Sequence, residues 1–273
     1  MRKLLALALV LWACQGQVHA QVSAPGPGAD RLPALRAVGT EWVLQLPDGS
    51  SLGSARLVGA QLRLAGGAVV RLDAAHIETG PSGRTWWAHE LSVQLASGSW
   101  QPLCAPHSDG TQYAVVLPGR EMPDGSLGEG DGFALSCTTG ALAKCLRMGY
   151  EPWHSGPGGH RMRAAFQACL RMVRADYGGD GTPHTENGQR IDVFDDLGVQ
   201  EADRLPGQSF EAGWSPQGAV CVHHPRVATA STLADLQARY PALHGQTGDL
   251  CTEAYARSLG ALVFNRSSGP REQ

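Results

Sequence analysis

Six cysteines constrain this chain more than any other feature, because each disulfide among them would tie two distant segments together. They are Cys104, Cys137, Cys145, Cys169, Cys221 and Cys251. An even number of cysteines in an exported chain predicts a disulfide framework, although the spacing alone does not fix the pairing. Cys145 and Cys169 each open a Cys-Leu-Arg-Met segment, so a bridge between two packed helices is one pairing to consider. The alternative is that some of the six are buried free thiols.

The N-terminus has the three parts of a bacterial export signal. A cationic start at Met1 to Lys3 precedes an apolar run from Leu4 to Ala13, and Val18-His19-Ala20 has the small-residue pattern of a cleavage site. We therefore predict a signal peptide over residues 1–20, a mature chain beginning at Gln21, and a location in the periplasm, at the cell surface or outside the cell.

A second interpretation takes Leu11 to Cys14 as a lipoprotein box, which would place a lipid anchor on Cys14 in the outer membrane. The bulky Trp12 beside the cut favours simple cleavage. Either route removes Cys14 from the thiol count.

Hydropathy and charge exclude two classes of function. No segment approaches the ~20 apolar residues of a membrane-spanning helix, so we predict no transmembrane segment. The formal charge of -3 becomes -5 once Arg2 and Lys3 are removed, leaving 20 basic against 25 acidic residues. Nucleic-acid binding normally needs a clustered basic face, and this balance argues against it.

The hydrophobic pattern changes period near the middle of the chain. Residues 21–37 are rich in proline and glycine and are predicted to be a flexible lead-in. Residues 38–135 alternate with period two, as in Trp42, Leu44 and Leu46, which predicts antiparallel β-sheet.

Residues 136–273 mix helical and strand patterns. Helices are predicted at Thr139–Met148 and Arg161–Tyr177, the second with Phe166, Cys169 and Met172 on one face. Five further elements are predicted after these helices: a strand at Ile191–Phe194, a hairpin over Phe210–Val222, a helix capped by Ser231, a helix from Asp249 and a strand at Ala261–Phe264. The fold class is therefore α+β, with an antiparallel β-rich N-terminal half, a disulfide-stapled helical and β-hairpin C-terminal half, and both halves packed as one unit.

The segment FQACLRMVRADYGGDGTPHTENGQRIDVFDDL, Phe166 to Leu197, resembles the ADYC domain. Cys137–Trp153 and Phe210–Arg226 share the resemblance, which spans roughly Cys104 to the C-terminus. The family name denotes an Ala-Asp-Tyr-Cys tetrapeptide; here Ala175, Asp176 and Tyr177 match it and Gly178 takes the place of the cysteine. The resemblance implies an exported bacterial protein whose biochemical activity is unassigned.

The loop from Asp176 to Gly188 concentrates polar side chains and glycines. One interpretation is a calcium site with Asp176, Asp180 and Glu186 as oxygen ligands, although the spacing does not fit an EF-hand. The other is a structural loop in which the acidic side chains bond to the turns and to nearby cations. We favour the structural interpretation, with Arg174, Arg190 or the amides of the glycine loop as partners of Asp176.

His184 is the candidate catalytic residue of the same loop. Oriented by Asp176 or Asp180, it could act as a general base, but the sequence nominates no nucleophile. No zinc-protease helix or P-loop occurs. We therefore predict an exported, disulfide-stabilised binding or structural protein of the bacterial envelope or secretome, without a cofactor, and keep a His184-dependent hydrolase as the alternative.

Overall fold

The computed structural model describes residues 34–80, 83–107, 110–156, 162–227 and 231–268. The predicted signal peptide, Cys14 and nearly all of the predicted lead-in lie outside these ranges. The described chain forms sheets of three, four and six strands with short helices between them, so the predicted α+β class is confirmed.

The first sheet is small and antiparallel. Its strands are β1 (Ala34–Val38), β2 (Glu41–Gln45) and β3 (Ser51–Gly53), in that order. Ala34, the first described residue, already belongs to a strand, a few residues before the position near Val38 where folded structure was expected to begin. Trp42 in β2 is fully buried and packs edge-on against Phe133 of the next sheet, which joins the two layers.

The second sheet is the central layer of the molecule. Its strands are β4 (Gln61–Arg63), β5 (Val69–Thr79), β6 (Thr85–Gln94), β7 (Trp100–Pro102), β8 (Tyr113–Glu121) and β9 (Leu127–Cys137), with β7 paired to β6 beside the main order β4-β5-β6-β8-β9. Both faces of β8 are buried. Ala114 and Val116 face the first sheet, and Val115 and Leu117 face the helices, as the alternation of side chains along a strand requires.

Two helices cover the other face of this sheet. They are α1 (Ala141–Arg147) and α2 (Met162–Arg174), close to the predicted positions. Phe166, Cys169 and Met172 are fully buried, as the helical spacing indicated. The prediction was wrong about the end of α2, which stops at Arg174 rather than Tyr177, because Ala175 takes a left-handed conformation with φ of 49°.

A third sheet lies against the opposite side of α2. Its strands are β10 (Ile191–Asp195), β11 (Ser209–Ser215), β12 (Gly218–Val222) and β13 (Val263–Ser267), all antiparallel, in the order β10-β13-β11-β12. Trp214 of β11 and α2 belong to one apolar core that also contains Val115 and Leu117 of β8. The core is therefore continuous from the central sheet through α2 to the third sheet.

Two further short helices are present, and each begins at a different residue from the one predicted. The helix α3 (Leu233–Arg239) is capped by Thr232, which accepts a hydrogen bond from the Asp235 amide, so Ser231 is not the cap. The helix α4 (Glu253–Ser258) is capped by Thr252 and begins after the predicted Asp249. In both cases threonine takes the capping role that serine and aspartate often fill.

Three disulfides pair all six cysteines of the described chain. Cys104–Cys137 ties the segment after β7 to the end of β9, Cys145–Cys169 joins α1 to α2, and Cys221–Cys251 joins β12 to the segment before α4. The predicted disulfide framework is confirmed, including the bridge between the two helices. No helix of the described residues has the length and hydropathy needed to span a membrane.

Candidate functional site

The loop that follows α2 is organised around the buried carboxylate of Asp176. Its Oδ2 accepts hydrogen bonds from Nη1 of Arg171 at 2.7 Å and from the Gly181 amide at 2.9 Å. Its Oδ1 accepts from the Asp180 amide at 3.1 Å. The glycine-loop amides are partners of Asp176 as predicted, but its cationic partner is Arg171 rather than Arg174 or Arg190. Arg171 lies on the last turns of α2, where a cation also suits the negative end of the helix dipole.

Arg171 connects this loop to two hairpin turns. Its Nη2 donates to Oδ2 of Asp124 at 2.7 Å, in the turn between β8 and β9, and its Nε donates to the Pro216 carbonyl at 3.1 Å, in the turn between β11 and β12. Partial burial would raise the pKa of Asp124, but hydrogen bonds from Ser126 and Arg171 lower it to about 2. Arg171 therefore holds the central sheet, the loop and the third sheet together.

Tyr177 enters a second buried cluster, which lies between α2 and the third sheet. Its hydroxyl donates to Oε1 of Glu211 at 3.1 Å and accepts from the Arg226 amide at 2.8 Å, while its ring stacks on Trp214. Arg226 and Glu211 form a fully buried bidentate pair, with Nε–Oε2 and Nη2–Oε1 distances of 3.0 Å. The Asn265 amide group donates to Oε2 of Glu211 at 2.7 Å.

The environment of Glu211 keeps that carboxyl ionised. Burial alone would raise its pKa, but the charge and hydrogen bonds of Arg226, together with Asn265, hold it below its ordinary value. Burial and the Glu211 charge raise the pKa of Tyr177 well above its usual range. The cluster is thus a charged pair with a neutral phenol, and every charged atom in it has a partner.

Gly178 lies against the ring of Tyr240. A Cβ built on Gly178 would come within 2.1 Å of Cε1 and 2.3 Å of Cδ1 of that ring. Contacts this short require one of the two groups to move. In this chain the aromatic ring of Tyr240 occupies the space that a side chain at position 178 would need.

His184 lies beside Tyr240 and Ser231. Its Nδ1 is 2.6 Å from Oγ of Ser231, its Nε2 is 3.2 Å from the Tyr240 hydroxyl, and that hydroxyl is 3.5 Å from Oδ1 of Asp180. Burial and the nearby Arg239 lower the pKa of His184, which the charges of Asp176 and Asp180 only partly oppose. The ring is therefore a neutral hydrogen-bonding group near pH 7, with a serine on one nitrogen and a tyrosine on the other.

Asp180 and Glu186, the other predicted ligand residues, face different surroundings. Asp180 is exposed, pairs with Arg239 at 3.1 Å and accepts from the Thr182 amide at 2.9 Å. Glu186 lies on the wall of a separate groove. Among the residues that the structure describes, no group of three or more His, Cys, Asp and Glu side chains is arranged to hold a metal ion. The loop brings Asp176, Asp180 and His184 close together but leaves Glu186 apart.

Four residues of these clusters had no sequence signal. Ser231 and Tyr240 are 47 and 56 residues from His184 along the chain, and Glu211 and Arg226 lie 34 and 49 residues from Tyr177.

One comparison with known proteins identifies a family for this chain. The family model of the ADYC domain matches residues 49–228, about two thirds of the chain. The match begins in the β-rich region, well before the Cys104 expected from the resemblance, and ends just after Arg226. No curated protein and no solved structure matches the chain.

We expect Asp176→Ala to lower the free energy of unfolding by about 3 kcal/mol. The substitution removes a buried ion-pair partner of Arg171 and leaves two loop amides without a hydrogen-bond acceptor. Asp180→Ala is the matched control in the same loop and should cost less than ~1 kcal/mol, because its pair with Arg239 is exposed. Urea unfolding of both variants, with calcium and with chelator, measures the difference. Equal losses, or stabilisation of the wild type alone by calcium, would contradict the structural role.

Proposed function

This chain belongs to the ADYC domain family, and we propose that it is an exported binding or structural protein of the bacterial envelope or secretome rather than an enzyme. The observation that carries the proposal is the use of the loop after α2. Asp176 and Tyr177, the two polar residues of the tetrapeptide, are buried. Asp176 is hydrogen-bonded to Arg171 and to loop amides, and Tyr177 is hydrogen-bonded to Glu211 and Arg226.

The clusters have the properties of a scaffold. A catalytic acid or base needs access to a substrate, and the carboxylates of Asp176 and Glu211 have no exposed surface. The ionised state of Glu211 is fixed by Arg226, so this carboxyl is not poised to exchange a proton near neutral pH. This arrangement fits residues selected to hold strands and helices in register.

Export is supported by the chemistry of the cysteines. Three disulfides join segments that are 24 to 33 residues apart, and such bridges persist in oxidising compartments. Each is expected to stabilise the fold by ~2 to 4 kcal/mol, mainly by restricting the unfolded chain. The signal-like N-terminal segment leads to the same compartment.

One observation favours the hydrolase alternative. The sequence offered no nucleophile for His184, whereas the structure places Oγ of Ser231 at 2.6 Å from Nδ1 of His184. A neutral histidine bonded to a serine hydroxyl is the core of serine-hydrolase chemistry. However, Ser231 is buried, and neither residue lines the two principal cavities of the described chain.

We expect the protein recovered from the exported fraction of a bacterial host to begin at Gln21, to lack lipid and to contain three disulfides. Intact mass before and after reduction and alkylation reads all three properties together. A mass showing diacylglycerol on Cys14 would mean that the protein is lipid-anchored rather than secreted. Retention in the cytoplasm with free thiols would contradict export.

We expect no labelling of the folded protein by a fluorophosphonate serine probe, because Ser231 is buried and its hydroxyl is hydrogen-bonded to His184. A Ser231→Ala variant identifies the labelled residue, and a Ser258→Ala variant, which removes an exposed serine of α4, is the control. Labelling of the wild type that Ser231→Ala and His184→Ala abolish, and Ser258→Ala leaves intact, would establish the hydrolase instead.

A further inference from the structure

A groove separates the β5–β6 hairpin from α1 and from the segment between the loop and β10. It consists of two adjoining cavities of about 590 and 400 Å³ that share Lys144 and Met148 of α1. The larger is lined by Glu78, Trp86, Lys144, Arg147, Met148 and Gln200. Neither cavity touches Asp176, Tyr177 or His184, and the smaller one meets the Tyr177 cluster at Arg226.

Lys144 stands at the junction of the two cavities without a counter-ion. Among the residues that the structure describes, no carboxylate lies within ion-pair distance of its ammonium or of the Arg147 guanidinium. Lys144 is exposed overall, but partial desolvation of its ammonium beside the groove and the nearby charge of Arg226 lower its pKa. Two neighbouring cations that line a groove without a carboxylate partner favour the binding of an anion there.

The other charges around the groove leave the region of Lys144 positive. In the larger cavity Lys144 and Arg147 face one carboxylate, that of Glu78. In the smaller cavity Arg190 faces Glu186 and Asp203, while Arg226 is neutralised by Glu211. The excess of cations therefore lies in the larger cavity, on α1.

The wall next to these cations is apolar. Trp86 at the start of β6 and Met148 at the end of α1 both line the larger cavity and remain partly accessible. An aromatic ring and a flexible thioether beside a cationic pair suit a ligand with an acidic head and an apolar body. A bare inorganic anion would leave the Trp86 and Met148 surfaces unused.

We propose that the groove binds a small carboxylate with an apolar body, its carboxylate on Lys144 and Arg147 and its apolar part against Trp86 and Met148. This inference rests on the proposed binding function and names its ligand class. Lys144 is one of two lysines in the chain, and the other, Lys3, lies in the predicted signal peptide. A chemical label on amines therefore marks only Lys144 and the N-terminal amine in the mature protein.

The test uses decanoate, below its micellar concentration, on mature protein whose Lys144 has been reductively methylated with ¹³C-formaldehyde, which preserves the positive charge. We expect a saturable shift of the Lys144 resonance and a higher Lys144 pKa with decanoate present, because the bound carboxylate favours the protonated amine. Binding should therefore weaken as the pH rises through the Lys144 pKa. Inorganic phosphate and decyltrimethylammonium at the same concentration should produce much smaller effects.

Affinities from calorimetry separate the two halves of the site. Lys144→Gln should weaken decanoate binding about tenfold or more, as expected for loss of a charge-assisted contact, and Trp86→Ala should weaken decanoate but not phosphate. Arg56→Gln, which removes an exposed cation remote from the groove, should change nothing. No decanoate response, or an equal response to phosphate, would overturn the proposal. Either result would leave the mass and serine-probe tests of the proposed function unaffected.

Discussion

The buried pair of Glu211 and Arg226 is the interaction on which the C-terminal half depends. Arg226 donates from Nη2 to the Met172 carbonyl at 2.7 Å and from Nη1 to the Val173 carbonyl at 3.1 Å, so the cation that neutralises the β11 carboxylate also satisfies the end of α2. A buried charge without a partner is costly, so the register of helix and sheet is fixed by the need to keep this pair intact.

The segment from Ala175 to Tyr177 can be understood from this constraint. Ala175 closes α2 in a left-handed conformation, which turns the next residues inward. Asp176 then meets Arg171, and Tyr177 meets Glu211 and the Arg226 amide. The two polar residues serve two different ion pairs, one facing the central sheet and one facing the third sheet. The loop is thus the joint between layers, and the groove at Lys144 lies beside that joint rather than in it.

The sequence predicted what depends on local periodicity and failed where contacts are distant. The buried face of α2 followed from helical spacing. The repeated Cys-Leu-Arg-Met segment suggested the bridge between Cys145 and Cys169 as one possible pairing, and the structure contains it. The end of α2 was placed too late because alanine carries no signal for a left-handed conformation. The contact of His184 with Ser231 joins residues far apart in the chain, and no local pattern encodes such a contact.

The most direct test measures the energetic coupling between Glu211 and Arg226, from the free energies of unfolding of single and double variants in urea. Arg226→Met alone should cost ~3 to 5 kcal/mol, because it leaves a buried carboxylate unpaired, and adding Glu211→Gln should recover at least ~1 kcal/mol of that loss. Arg257→Gln, which breaks an exposed pair with Asp196, should cost at most ~1 kcal/mol. A loss for Arg226→Met no larger than that for Arg257→Gln, or simple additivity in the double variant, would contradict the central role of this pair.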